Sequence, residues 1–216
     1  RVKAQRHPLR KIRYLRHLHL RHPQHQASPP TQTGKLLAAL VLRDNLRFRK
    51  AIESAYLDAI DTARRDIVIA NAYFLPGHYL RKSLIAAAKR GVRVRLLLQG
   101  KIEYHLQYHA TRWIYDQFLK NGIEIYEYIP SFLHAKVAVV DGHWATVGSS
   151  NLDPLSLLLA REANVVIDDA SFSGELRADL LAAMQSKGVE LDARTYADRP
   201  MLQRFLDRLA FGVMRL

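Results

Sequence analysis

The 216 residues contain no cysteine. That excludes disulfides, thiolate zinc sites and a cysteine nucleophile, and it suits a reducing compartment. No stretch approaches the roughly 18 uninterrupted apolar residues that a membrane-spanning helix needs. No secretory signal pattern is visible in these residues. Acidic residues are scarce: 20 Asp and Glu stand against 33 Lys and Arg, a formal net charge of +13. Such an excess selects an anionic partner, whether nucleic acid, an acidic membrane surface or phosphorylated substrates.

The charge is unevenly placed. Residues 1–22 carry eight Lys or Arg and no acid, and "HPQHQASPPTQTG" (22–34) is rich in Pro, Gln, Ser and Thr. Residues 1–34 therefore read as a basic, Pro/Gln-rich linker, either simply solvated or held against an anionic bilayer. His7, His17, His19, His22 and His25 match no metal-ligand spacing and are expected on a basic surface.

From residue 35 apolar runs alternate with helical periodicity. "KLLAALVL", "DIVIANAYF", "VRVRLLLQ" and "IEIYEY" read as strands. Helices are expected over 43–65, with Asp44 as a cap, over 79–90 closed by Gly91, and over 105–121 closed by Gly122. "FLHAKVAVVDGHWATVGSS" reads as two strands about the hairpin dipeptide Asp141-Gly142. "NLDPLSLLLA" is a loop or short helix, "EANVVID" a strand, and "SFSGELRADLLAAMQSKG" a helix with Phe172, Leu176 and Leu180 on one face. This pattern predicts an α/β lobe over 35–195, with a mixed, mostly parallel sheet flanked by helices.

Residues 201–216 place Met201, Leu202, Phe205, Leu206, Leu209, Val213 and Leu216 at helical spacing. They predict a C-terminal amphipathic helix over 196–216. Two roles stay open: the stripe packs on the core, or it lies in a membrane interface.

His134 and Lys136 are the unusual residues. An apolar strand bears titratable groups only where they are paired or used. At i and i+2 they share one strand face and present an imidazole beside an ammonium. That pair suits attack on a phosphodiester: the imidazole as nucleophile or proton carrier, the ammonium neutralising the nonbridging oxygens. Asp141 closes the strand and would balance the local charge. Gly148 permits close backbone approach. Ser149 and Asn151 offer donors to phosphate oxygens, and Glu162 would orient the imidazole. Tyr73, with Phe74, ends a strand near this site and either packs or contacts a head group. Lys101 follows a strand end and is a further candidate for substrate contact. His105, His109 and Arg112 share a helix face expected to be polar surface, and His143 is expected exposed in the hairpin turn.

The order H-x-K-x4-D-x6-G-S-x-N, met by His134, Lys136, Asp141, Gly148, Ser149 and Asn151, resembles the signature of the phospholipase D superfamily. "RDN" at 43, "IANAYFLPG" at 69, "GVRVRLLLQG" at 91, "GIEIYEY" at 122, "HWATVGSSNLDPLSL" at 143 and "EANVVI" at 162 resemble bacterial cardiolipin synthases of the B type. The likeness covers roughly residues 36–190. It implies exchange of a phosphatidyl group between phosphatidylglycerol molecules through a phosphatidyl-histidine intermediate. It implies catalytic His134, Lys136 and Asp141, with Ser149, Asn151 and Glu162 supporting the phosphate. It implies no cofactor and no metal, since lysines neutralise the charge, and a peripheral place on the bacterial inner membrane. Anionic phospholipid is the expected partner and nucleic acid is not.

Members of that family carry two such motifs on two lobes that share one site. Only one motif is present here, so the chain is expected to be the C-terminal half of a longer enzyme, completed by a missing N-terminal lobe or by a second copy. Two other classes remain: a single-motif phosphodiesterase or nuclease active as a homodimer, and a noncatalytic lobe that only binds anionic surfaces.

Overall fold

The computed structural model describes residues 36–44, 48–153 and 161–214. The basic segment expected over 1–34 lies outside them. So does most of the loop or short helix expected after Asn151.

Eight strands form one sheet: β1 (Leu37–Arg43), β2 (Asp66–Asn71), β3 (Arg93–Gln99), β4 (Glu124–Tyr128), β5 (Lys136–Val140), β6 (Trp144–Gly148), β7 (Glu162–Asp168) and β8 (Gly188–Glu190). Their order across the sheet is β1-β7-β6-β5-β2-β3-β4-β8. The helices are α1 (Ala51–Thr62), α2 (His78–Lys89), α3 (His105–Leu119), α4 (Ala170–Lys187), α5 (Ala193–Ala197) and α6 (Met201–Met214).

The α/β architecture and the mixed sheet are as expected, but the share of parallel pairing is smaller. Only β2–β3 and β3–β4 run parallel, and the other five pairings are antiparallel. The reason lies in the connections. α2 and α3 supply the crossovers that parallel neighbours need. The segment 129–135 holds no helix, so β5 begins at the end of the sheet where β4 stops and runs back against β2. Asp141 (φ 53°) and Gly142 (φ 70°) then turn β5 into β6 within the three-residue connection 141–143, where the His143 N–H donates to the Val140 carbonyl at 3.3 Å.

Both sheet faces are covered over the central strands, which explains their nearly unbroken apolar runs. All six residues of β2 are buried. On one face Ile67, Ile69, Leu96, Leu98, Ala138 and Val140 pack beneath Ile52, Tyr56 and Ile60 of α1, Leu80 and Leu84 of α2, and Ile114 and Phe118 of α3. On the other, Val68, Ala70, Leu97, Val139 and Ala145 meet Leu180 and Met184 of α4, with Phe172 and Leu176 half-buried beside them. Each large side chain removed from water stabilises the fold by about 1.5–3 kcal/mol.

Several local expectations are corrected. α1 starts at Ala51, and Asp44 does not cap it: the Asp44 carboxylate accepts the Phe48 N–H at 2.8 Å and shapes the turn ahead of the helix. Of the helix face expected to be polar surface, only His105 is exposed. His109 lies 2.7 Å from Asp207, and Arg112 grips Glu127 at 2.8 and 3.0 Å with little exposure. His143 is exposed as expected. α6 does not pack its apolar stripe on the core. Its buried residues are Asp207 and Ala210, while Met201, Leu202, Phe205, Leu206, Leu209 and Val213 are exposed. Leu216 lies outside the described residues.

Asp141 itself is a structural hub. Its carboxylate accepts the backbone N–H groups of Arg64, Arg65 and Asp66 at 2.9, 2.7 and 3.1 Å, and its carbonyl accepts the Arg65 guanidinium. It therefore ties the β5–β6 turn to the start of β2. Asp141→Gly keeps the left-handed φ without strain and removes only the carboxylate. This variant is expected to lose about 1–3 kcal/mol of stability, read as a melting temperature lowered by several degrees.

Candidate active site at the C-terminal end of β2

The Ala72 N–H donates to the Ala135 carbonyl at 2.9 Å, one step beyond the last ladder pair of β2 and β5. This extra bond fixes the segment just ahead of β5. His134 therefore sits two residues before the strand rather than within it, and it is exposed. Lys136, the first residue of β5, is only 7% exposed. Its ammonium lies 3.2 Å from the His134 Nε2. An ammonium has no acceptor, so this contact is a hydrogen bond only in the tautomer that leaves the lone pair on Nε2.

Burial lowers the Lys136 pKa from its ordinary value, because a cation loses water there. Glu162 and Asp153 oppose that shift by their negative charge. Asn71 stands directly across the ladder from Lys136. It is fully buried, and its Oδ1 accepts the Leu152 N–H at 3.3 Å. Its Nδ2 has no hydrogen-bond partner among the described residues. An ammonium and an amide donor thus lie side by side at one end of the sheet.

The Gly148–Leu152 segment closes over this end. Phe74 and Leu152 form a parallel bridge, and the Leu75 N–H donates to the Leu152 carbonyl at 2.8 Å. Ser149 is exposed, and its hydroxyl donates to the Glu162 carboxylate while its N–H donates to the Ala163 carbonyl at 3.0 Å. Glu162 takes the Ser149 hydroxyl and not the imidazole, so its link to the pair is its charge on Lys136. It also faces Arg43, its cross-strand partner, whose own pKa is lowered chiefly by burial. Asn151 is half-buried between Ser150, whose hydroxyl donates to the Asn151 carbonyl at 3.2 Å, and Leu152.

Asp141 is not part of this cluster. It lies past the far end of β5, about 16 Å from Lys136 at the usual strand rise. Tyr73 and Lys101 line a neighbouring groove with Gln99, Glu103, Tyr104 and Arg112. The Tyr73 hydroxyl donates to Glu103, and its ring meets Tyr104 edge-on at 6.0 Å. Burial, then the Glu103 bond, pushes the Tyr73 pKa up, with Asp153 adding to it. Lys101 Nζ donates to the Pro130 carbonyl at 3.0 Å and stands 6.0 Å above the Phe132 ring. Neither residue touches the His134–Lys136 pair in any described contact.

Three residues of the cluster carry no weight in the motif reading: Asp153, Asn164 and Arg43. A signal for two of them exists. Asn164 and Arg43 are polar residues on otherwise apolar strands, in the phase of the core face. Asn164 is 1% exposed, and its amide donates to Thr146 Oγ1 at 3.1 Å. It also explains Gly148. A Cβ there would stand 2.2 Å from Asn164 Oδ1 and 2.5 Å from the Ala163 carbonyl. Among the described residues, no three His, Asp or Glu side chains converge as metal ligands would.

A family model described as "Cardiolipin synthase, PLD-like domain" matches residues 56–184. The chain belongs to the phospholipase D-like family of cardiolipin synthases. It is 41% identical over 191 residues to cardiolipin synthase B of Escherichia coli K12, across 88% of this chain and 46% of that protein. It is 38% identical over 164 residues to cardiolipin synthase A of Citrobacter koseri, across 74% of this chain and 33% of that protein. The chain thus spans less than half the length of these family members. In fold it is similar to Nuc, a phospholipase D family member of Salmonella typhimurium, with a TM-score of 0.60 at 21% identity over 73% of this chain and 99% of that one. It is also similar to the phosphatidylserine synthase of Haemophilus influenzae, with a TM-score of 0.63 at 13% identity over 83% of this chain and 46% of that one.

Gly148→Ala is expected to displace Asn164 and loosen the turn that carries Ser149 and Asn151, at about 1–3 kcal/mol. Thermal melting checks the loss. Gly91→Ala, with nothing within 4 Å of its Cβ but a φ of 88°, gives a control in which only backbone strain acts.

Proposed function

We propose that this chain is one catalytic lobe of a phosphatidyltransferase that makes cardiolipin from two phosphatidylglycerol molecules. The observation that carries the reading is the His134–Lys136 pair, Nζ to Nε2 at 3.2 Å, in a chain 41% identical to a cardiolipin synthase B. The lone motif and the 46% coverage of that relative support a site completed by a second lobe upstream or by a second copy. A peripheral position on the bacterial inner membrane fits the substrate, and no helix among the described residues is long and apolar enough to cross a membrane.

The chemistry is two balanced displacements at phosphorus. One histidine attacks the phosphatidyl phosphorus, the P–O bond to glycerol breaks, and the second histidine gives its proton to the departing glycerol oxygen. The head-group hydroxyl of a second phosphatidylglycerol then attacks the phosphatidyl-histidine. Its proton passes to the second histidine, and the first is released. The products are cardiolipin and glycerol. His134 serves at one end of this exchange and the partner lobe's histidine at the other. Lys136 neutralises the nonbridging oxygens as charge builds, and Asn71 Nδ2 and the Asn151 amide add donors around them, while Ser149 holds Glu162 near the pair. Asp141 acts through the fold alone.

Two measurements on the full protein test this. His134→Ala is expected to lower conversion of phosphatidylglycerol in mixed micelles by about 100-fold or more, with the melting temperature unchanged because the side chain is exposed. Near-normal turnover in this variant refutes the assignment.

The second measurement is the alkaline limb. Lys136 must hold its proton to act, and burial lowers its pKa below 10.5. Activity is expected to fall below the ordinary lysine range, and Lys136→Arg, slower overall, should carry its limb to higher pH. Stability moves the opposite way. Between the lowered folded value and the ordinary unfolded one the unfolded chain binds the extra proton, so this group's contribution to stability rises with pH. A limb that stays put in Lys136→Arg assigns it to another group.

A further inference from the structure

α6 is an amphipathic helix mounted inside out. Met201, Leu202, Phe205, Leu206, Leu209 and Val213 are between 42% and 85% exposed. On an ideal helix these six fall within an arc of about 140°. The opposite side carries Asp207, fully buried, and Ala210, also buried.

The orientation is built by polar contacts and is not left over from weak packing. Asp207 Oδ1 lies 2.7 Å from His109 Nδ1 of α3, and its Oδ2 accepts Arg199 at 2.7 Å. Arg199 also reaches Asp116 of α3 at 3.2 Å and lies over the Tyr196 ring at 3.5 Å. Phe211 packs under Arg81 of α2. Turning the stripe inward would strip a buried carboxylate of both partners, which is strongly unfavourable.

The rim of the stripe is cationic. Arg204 and Arg208 are exposed, and they are the charged residues of α6 besides the buried Asp207. Arg208 stands 5.8 Å from the Trp113 ring of α3, at the same border. The chain as a whole carries +13. An exposed apolar arc edged by arginines complements an anionic bilayer: apolar side chains in the acyl boundary, guanidinium groups on the headgroup phosphates.

We propose that α6 is a membrane-docking helix that lays its Met201–Val213 stripe into the interface of an anionic phospholipid bilayer. α6 runs antiparallel to α3, as the pairs Arg199–Asp116 and Asp207–His109 require. Its C-terminal turns therefore lie toward the start of α3, at the end of the sheet that carries His134. Docking along this helix brings that end to lipid. The choice of phosphatidylglycerol as the anionic lipid rests on the phosphatidyltransferase reading; the docking itself rests on α6.

The test uses the full protein. Leu202→Glu/Phe205→Glu/Leu209→Glu puts three carboxylates on exposed positions, so the melting temperature is expected to hold. Sedimentation with vesicles of equal parts phosphatidylglycerol and phosphatidylcholine is expected to show binding weakened by at least about tenfold. Binding that persists in this variant overturns the proposal. These 216 residues hold no cysteine, so Phe205→Cys carries a single environment-sensitive dye once any cysteine elsewhere is replaced by serine. Its emission is expected to be water-like in solution and to shift blue on the vesicles. Emission already blue without vesicles, and unmoved by them, shows the stripe covered by another lobe or a second copy and overturns the proposal. Turnover in detergent micelles reads the other claim: the triple variant is expected to keep it. Absence of turnover in the parent protein refutes the phosphatidyltransferase reading and leaves the vesicle and dye arms to judge the helix.

Discussion

A cation taken out of water sets the terms for this end of the molecule. Lys136 is almost wholly buried on the first residue of β5. An unpaired buried ammonium costs several kcal/mol. The surrounding chain supplies opposite charge without neutralising the group outright: Glu162 and Asp153 act on it by field, while its described contact is the His134 imidazole. A lysine locked in a short ion pair would have its charge already balanced before an anion arrived. Here its positive charge is only partly balanced, and the buried Asn71 amide across the ladder is likewise unspent. The arrangement tolerates a resting cost that a phosphate oxygen would relieve.

The supports of that cation are spread along the chain. Gly148 lets Asn164 lie against the β6 backbone, and Asn164 accepts the Ser150 N–H at 3.4 Å. That holds the 149–153 turn. Asn71 receives the next part of the turn through the Leu152 N–H. At the other end of β5, Asp141 anchors the hairpin to the loop before β2 through three backbone N–H groups. Position along β5 is thus fixed from both ends, and only one end carries the His134–Lys136 pair. On the proposed reading, Lys136 at the start of the strand serves the chemistry and Asp141 just past its end serves placement.

Much of this was legible in the residues. Apolar runs between glycine-closed helices marked the β2–α2–β3–α3–β4 unit, and Gly91 and Gly122 do adopt left-handed φ values of 88° and 75°. Asp141-Gly142 marked the hairpin. The histidine–lysine pair stood out on an apolar run, and the cost falls on Lys136, which is buried, while His134 is exposed ahead of the strand. Other features were not legible for physical reasons. Strand direction depends on whether a connection can cross the sheet, which the apolar pattern of β5 does not encode. β8 and α5 are too short to show a period. Asp141 was read with the reactive pair because motif spacing counts residues, whereas an extended strand carries five of them some 16 Å apart. Periodicity showed that α6 has a stripe. It is silent on which side of a helix meets the protein, and here a buried carboxylate decided it.

On the phosphatidyltransferase reading, the geometry of displacement at phosphorus bears on why one lobe would be half of a site. Attacking and leaving groups sit roughly in line on opposite sides of the phosphorus. A histidine fixed at the end of one strand reaches one of those sides. Its described neighbour here is the Lys136 ammonium, with the Asn71 amide across the ladder from that lysine, and these suit the equatorial oxygens and not the opposite apex. Among the other described histidines, His109 is tied to Asp207 beneath α6, and His143 lies at the far turn beside Asp168. Neither has a described contact with His134, and nor do His78 and His105, which open α2 and α3. On the proposed reading, an exposed His134 beside a buried Lys136 would suit such a shared site: an imidazole at the surface, and the charge that would stabilise its target held in place behind.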